Sequence, residues 1–339
     1  MYAPRTEQNQ KENVSPQIVD PGTSEERLMR VCRFWEPKTG ARLGIVFEET
    51  VVDATAIDPR GCSDISAWLA LPDPIEYMRG LTELAERSRN RLHIRELEHL
   101  PAPGSRHLLP PIDNQEIWGA GVTYQRMRQS HVDESHGGKL FYDEVYDAAR
   151  PELFFKTTPH RVAGPLGSIR VRSDSEWTIP EPELTVLLSP AQRIIGFTCA
   201  NDVTSRDIEG ENPLYMAQSK TYNGCCALGP TILVSDDPDF ARDLPISLVV
   251  IREGMAVFRD ETNTNQMKRS IPEILGWLSR DNDFPFGVFL MTGSGIAPPD
   301  DFSLEPDDIV EIAIDGIGRL VNPVVKDALP SETQTEFGV

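Results

Sequence analysis

The sequence is poor in most of what marks a metal-thiolate, membrane or nucleic-acid protein. Its 339 residues hold five cysteines (Cys32, Cys62, Cys199, Cys225 and Cys226), scattered and without CxxC spacing. That pattern excludes zinc fingers and a disulfide framework, and it predicts reduced thiols in a cytoplasm. No run of about 18 apolar residues occurs, so neither a transmembrane helix nor a membrane partner is expected. The polar opening, MYAPRTEQNQKENVSPQIVDPGTSEE, lacks the apolar core of a signal peptide. Basic residues are scarce, with 33 Lys and Arg against 53 Asp and Glu, a formal net charge of -20. A surface so acidic repels phosphate backbones, and nucleic acid is excluded as a partner. Walker loops, HExxH and GxSxG are missing as well. The Gly293 to Gly295 stretch GSG is no dinucleotide fingerprint, because Pro298 stands where the third glycine belongs.

What is present divides into three zones. Residues 1–27 carry too few apolar groups to offset the entropy of ordering and are expected to be disordered. Residues 28–111 read as a small α+β unit. RVCRFW and ARLGIVFEETVVDA alternate like paired strands around a KTG turn. Asp73 followed by Pro74 signals a helix start, with Ile75, Met78, Leu81 and Leu84 as its apolar stripe. The proline-rich LPAPGSRHLLPPID reads as a linker. Residues 112–339 read as a β-rich second domain. Short strands such as TVLL, RIIGFTCA, GPTILV, ISLVVIREG, DIVEIAID and GRLVNPVV dominate it, and IPEILGWLSR after Ser270 is its chief helix. The predicted fold class is α+β, mostly β.

Chemistry concentrates where strands end. In EPELTVLL, Glu181 and Glu183 lie two residues apart, so on a strand both side chains face one way, about 6.6 Å apart. At this acid content about eight such pairs arise by chance, and the spacing alone is weak evidence. Two adjacent carboxylates repel unless a hard divalent cation joins them. Asp202 ends the run IIGFTCAND and reads either as a helix cap or as a third oxygen ligand. Lys220, in AQSKTYNGCCALGP, sits among small and apolar neighbours, where a lysine near a metal can move protons.

Taken in order, GVTY, PELFFKTTPHRVAGP, EPELTVLL, GFTCANDVTSRD, LMTGSGIAPP and DIVEIAIDGIGRLVNPV resemble the fumarylacetoacetate hydrolase superfamily over residues 117–325. The resemblance implies a mixed β-sheet catalytic domain with a smaller N-terminal domain. It implies Glu181, Glu183 and Asp202 as ligands of Mg²⁺, with Mn²⁺ or Ca²⁺ as substitutes, and Lys220 as the active-site lysine. It also implies a small 2-oxo acid substrate and a homodimer or larger homo-oligomer. Arg206, Thr292 and Lys156 match substrate-binding positions of relatives. Hydrolases and decarboxylases of the family carry a Tyr-x-x-His-x-x-Glu pattern that activates water. Here Tyr124 is followed by Met127 and Ser130 at those positions, although His131 and Glu134 repeat the spacing one helical turn later. Glu209 stands where many relatives have Gln.

The pattern SRDIEGENPLY followed by QSK and CALGP is most similar to the branch that dehydrates 2-keto-3-deoxy-pentonates (arabinonate or xylonate) to 2,5-dioxopentanoate. Expelling water needs no water-activating dyad. A base and an acid are needed, with Lys220 the first candidate and Glu134 or a metal-bound water the second. The alternatives are carbon-carbon hydrolysis of an acylpyruvate or decarboxylation of oxaloacetate through His131 and Glu134, and a binding protein without activity.

Overall fold

The computed structural model describes residues 28–124 and 145–327. Three sheets account for the described strands. The first part of the chain supplies β1 (Arg30–Glu36), β2 (Gly40–Phe47), β3 (Thr50–Asp53), β4 (Leu92–His93) and β5 (His107–Leu109). Next come β6 (Glu116–Gly121), β7 (Glu152–Thr157), β8 (Val162–Ala163), β9 (Ile169–Val171) and β10 (Thr178–Ile179). Then follow β11 (Pro182–Leu188), β12 (Ile194–Asp202), β13 (Thr204–Ser205) and β14 (Cys226–Val234). The chain closes with β15 (Pro245–Arg252), β16 (Met255–Asn263), β17 (Val288–Ser294), β18 (Ile309–Ile314) and β19 (Gly318–Lys326).

The main sheet runs β4-β3-β2-β1-β14-β12-β11-β17-β6-β7, with β5 on β1 and β8 on β14. Its central strands β11 and β17 are buried along their whole length, which explains why TVLL and VFLM read as continuous apolar runs rather than alternations. The second sheet, β16-β15-β18-β19-β9, packs its inner face against the first around Leu184, Val186, Phe197, Leu248, Ile312 and Leu320. Its strands alternate instead, as β18 shows with every second residue buried.

Residues 28–111 do not stand apart from the rest in hydrogen bonding. Arg30 and Val31 of β1 pair antiparallel with Leu233 and Ile232 of β14, so one sheet crosses the expected boundary at 111/112. The proline-rich linker itself yields β5, which pairs with β1. The helix signalled at Asp73 spans Pro74–Glu86, and the Asp73 carboxylate accepts from Glu76 N–H. Its buried stripe is Pro74, Met78, Leu81 and Ala85; Leu84, expected in it, is exposed. A 3.6-residue period continues from 78 and 81 to 85, turning 84 outward. Burying Met78 and Leu81 stabilises this contact by roughly 1.5–3 kcal/mol each. The second expected helix, Ile271–Leu278, is capped by the Ser270 hydroxyl accepting from Glu273 N–H. Residues 1–27 lie outside the described residues.

A carboxylate cluster at the end of the central strands

The backbone brings Glu181 to Asp202 before any side chain is considered. Asp202 N–H donates to the Glu181 carbonyl at 2.9 Å, and Glu181 N–H donates to Asn201 Oδ1 at 3.1 Å. Two residues on, Glu183 pairs with Ala200 on one side and Ser294 on the other. All three acids are at least 96% buried, and one carboxylate oxygen from each lies within 4.8 Å of the others.

A local irregularity aims Glu183. Between Glu183 and Thr185 of β11, strand β17 holds one residue more than its partner, and Gly293 takes φ +94 there. The bulge turns the Gly293 N–H onto Glu183 Oε2. A Cβ at Gly293 would meet Thr123 Oγ1 at 2.0 Å, so only glycine fits.

Two lysines compensate the acids. Lys220, at the end of the short helix Met216–Lys220, donates from Nζ to Glu181 Oε2 at 2.7 Å, Thr204 Oγ1 at 2.8 Å and Asp202 Oδ2 at 3.1 Å. Burial opposes its charge, but Asp202 and Glu181 outweigh burial and hold its pKa well above the ordinary lysine value. It is an ammonium in this arrangement, not a free amine. Lys156, fully buried on β7, forms an ion pair with Asp202 Oδ1 and donates to the Val203 carbonyl at 3.1 Å. Burial, then Asp202 and Glu181, raise the Glu183 carboxyl well above its usual value, the mark of a cluster still short of positive charge.

These residues fit a divalent cation. The donors are hard oxygens, they converge within one coordination sphere, and the Lys220 ammonium already stands between two of them as a cation does.

The cluster opens into a cavity whose other walls come from residues 120–122, Glu152, Phe154, Arg206, Glu209, Met216 and Ser294. Sequence reasoning missed Glu152. It starts β7, where alternation turns Glu152, Phe154 and Lys156 to one face. Its carboxylate packs on the backbone of Gly121, where a Cβ would lie 2.0 Å from Glu152 Oε2. Burial, and next Glu209, push its pKa up to about 7. Val122 forms the neighbouring wall at φ +52, a left-handed conformation rare for a β-branched residue.

Two sequence expectations need correction. Lys156 does not reach the cavity; it lies behind Asp202 and fixes it. Thr292 is fully buried and donates its hydroxyl to the Leu184 carbonyl at 2.9 Å, whereas Gly293 and Ser294 line the cavity. Arg206 lines the cavity as expected and forms an ion pair with Glu209 at 2.8 Å. Met127, Ser130, His131 and Glu134 lie outside the described residues.

Comparison with known proteins agrees with this arrangement. The family model for the fumarylacetoacetate (FAA) hydrolase C-terminal region matches residues 116–325. A 2-dehydro-3-deoxy-D-arabinonate dehydratase of Saccharolobus solfataricus is 49% identical over 219 residues, 64% of this chain and 74% of that one. A probable 2-keto-3-deoxyxylonate dehydratase of Haloferax volcanii is 45% identical over 219 residues, 65% of this chain and 75% of that one. Among solved structures, a 2-keto-3-deoxy-D-arabinonate dehydratase complexed with magnesium and 2,5-dioxopentanoate superposes with a TM-score of 0.71 at 38% identity. The match covers 89% of this chain and all of that one.

Proposed function

This chain belongs to the fumarylacetoacetate hydrolase family, and from that premise we propose that it dehydrates a 2-keto-3-deoxy-pentonate to 2,5-dioxopentanoate with a divalent cation, Mg²⁺ first. The observation that carries the reading is Glu152, a carboxyl with a pKa of about 7 set into the same cavity as the three-acid cluster. It gives the site a proton donor and acceptor matched to neutral pH, with no need for His131 or Glu134.

Glu181, Glu183 and Asp202 would hold the cation, and when bound it would supply the Lewis acidity that makes the proton beside the ketone of a 2-oxo acid, here that of C3, removable. Lys220 shares two of those carboxylates, and with a cation bound to them its ammonium would release one proton to solvent, so that the amine is the starting form in the loaded site. Its amine then takes a proton from C3. Glu152 protonates the C4 hydroxyl, which leaves as water and creates a C3–C4 double bond. The Glu152 carboxylate next takes a proton from C5 while the Lys220 ammonium returns one to C3. The double bond now lies between C4 and C5 as an enol, which ketonises to the C5 aldehyde. Both residues finish in their starting protonation states.

The test is an assay with Mg²⁺ and 2-keto-3-deoxy-D-arabinonate or -xylonate, products weighed by mass. Loss of one water, abolished by EDTA, is expected; cleavage of acetylpyruvate with no reaction of the pentonate would overturn the reading. The second reading, carbon-carbon hydrolysis or oxaloacetate decarboxylation, rests on His131 and Glu134, which lie outside the described residues.

Two accompanying expectations belong to the same proposal. The described cysteines are all free and buried, which favours a reducing compartment such as the cytoplasm, and no described helix is long and apolar enough to cross a membrane. Self-association is favoured by β7, an outer strand of the main sheet among the described residues, which exposes Phe155 beside Trp118. Sedimentation should give a dimer or larger; a monomer at micromolar concentration would contradict it.

A further inference from the structure

We propose that Thr204 is the positioning residue of Lys220, the hydroxyl that keeps Nζ in place once a cation has claimed the carboxylates beside it. The inference rests on the reading of Lys220 as the base and adds what holds that base in line.

The three acceptors of Lys220 Nζ are unequal. Glu181 Oε2 at 2.7 Å and Asp202 Oδ2 at 3.1 Å belong to the acids that would hold the cation, whereas Thr204 Oγ1 at 2.8 Å belongs to none of them. A divalent ion competes with the lysine for the two carboxylates, its preferred oxygen donors, and has no such claim on the hydroxyl. Glu181 and Asp202 line the cavity, but Thr204 is fully buried outside that lining, so it grips Nζ from the protein side.

The hydroxyl is locked as an acceptor. Its single proton goes to the Asp202 carbonyl at 3.1 Å, and toward Lys220 it offers lone pairs alone. That carbonyl is main chain, so movement of the Asp202 carboxylate onto a cation leaves the path from Lys220 through Thr204 to the strand intact. The backbone beneath is fixed as well, since Thr204 of β13 pairs with Ile179 of β10, and its branched side chain has few rotamers to choose from. Phe154 adds a second wall, its ring centroid 5.4 Å from Nζ. Lys220 carries at least two N–H groups in either protonation state, so one can remain on Thr204 while the nitrogen works. The bond strengthens as Nζ takes up a proton and its charge, so losing it should fall on kcat and not on KM.

Thr204→Val and Thr204→Ser separate anchoring from packing, because valine keeps the branched outline without an acceptor and serine keeps the acceptor without the methyl. In assays with Mg²⁺ and the pentonate, Thr204→Val should lower kcat roughly 10- to 100-fold, the range of one hydrogen bond to a charged group. KM and the calorimetric Kd for Mg²⁺ should stay within about twofold of native, and Thr204→Ser should recover kcat to within about threefold. Undiminished kcat in Thr204→Val overturns the proposal. So does an equal loss in both variants, or a loss accompanied by weaker Mg²⁺ binding, which would make Thr204 a support of Asp202 instead. A second measurement does not depend on the reaction: in crystals of the Mg²⁺-loaded native protein, Nζ should remain within hydrogen-bond distance of Thr204 Oγ1. Nζ found away from Thr204 overturns the proposal even where the pentonate reacts. Nζ on Thr204 with no dehydration of the pentonate overturns the dehydratase reading and leaves the anchor standing.

Discussion

Lys220 Nζ lies 2.7 Å from Glu181 Oε2 and 3.1 Å from Asp202 Oδ2, so a protein cation already holds two of the three carboxylates assigned to the metal. Stability and metal binding are therefore linked through one side chain. Removing one partner of a buried ion pair costs about 3–5 kcal/mol, because the remaining charges lose their compensation. Lys220→Met should lower the melting temperature of EDTA-treated protein by roughly 5–10 °C and cut turnover at least 100-fold. Saturating Mg²⁺ should narrow the melting gap without restoring turnover, since the ion replaces the charge but not the proton carrier. A gap of the same size with and without Mg²⁺ would show that Lys220 and the metal do not share the carboxylates.

Glu152 makes a pH prediction whose sign follows from linkage. Its folded pKa, about 7, stands above the ordinary value of 4.5, chiefly because of burial and next because of Glu209. Between pH 4.5 and 7 the folded protein keeps a proton that the unfolded chain has shed, so this group makes the fold less stable as pH rises through that window. Comparing metal-free native protein with Glu152→Gln isolates the effect. The native protein should lose stability relative to the variant from about pH 5 to 7 and run parallel to it above 8. Parallel curves throughout would place the Glu152 titration elsewhere. Turnover by Glu152→Gln should fall at least 100-fold, with KM little changed.

Gly293 carries both the bulge in β17 and the N–H that aims Glu183. Gly293→Ala forces a side chain into φ +94 and against Thr123 Oγ1, at a cost of about 2–3 kcal/mol. The expected signature is dual: a lower melting temperature, and a weaker apparent Mg²⁺ affinity read by titration of activity. A destabilised variant with unaltered Mg²⁺ affinity would separate the bulge from the cluster.

The cluster was legible in the sequence because its signals are local. Glu181 and Glu183 share a face by strand period, and Asp202 ends an apolar run whose length matches β12. Glu152 was not legible, because it stands 29 residues before Glu181 and nothing in PELFFK distinguishes a buried acid from a solvated one. Its raised pKa arises from burial and then from Glu209, both of them consequences of the fold. Thr292 was misplaced by one residue for a physical reason: an extra residue at Gly293 resets the alternation of β17, and a strand buried on both faces gives no hydropathy signal of the slip. Lys156 was on the right face of the right strand but one layer too deep, a difference of packing that periodicity cannot express. The crossing of the main sheet from β14 to β1 was hidden in the same way, since strand pairing across 200 residues leaves no local trace.

Val122 supplies a last test, because its strain has no evident structural beneficiary. A β-branched residue at φ +52 costs about 1–3 kcal/mol, and strain of this kind persists where surrounding contacts enforce it at working sites. Here the enforcement is visible: Thr123 Oγ1 donates to the Thr292 carbonyl at 2.6 Å, and Lys268 N–H donates to the Thr123 carbonyl at 2.9 Å. These bonds fix the turn and leave Val122 as apolar wall beside Glu152. Val122→Gly removes the strain and, after the added entropy of the unfolded chain, should stabilise the protein by about 1 kcal/mol. The same change deletes the wall, so kcat/KM for the pentonate should fall about 10-fold while Mg²⁺ affinity holds. Gain of stability with undiminished kcat/KM would mean that the valine is tolerated rather than used, and the cavity wall would have to be sought in residues other than 122.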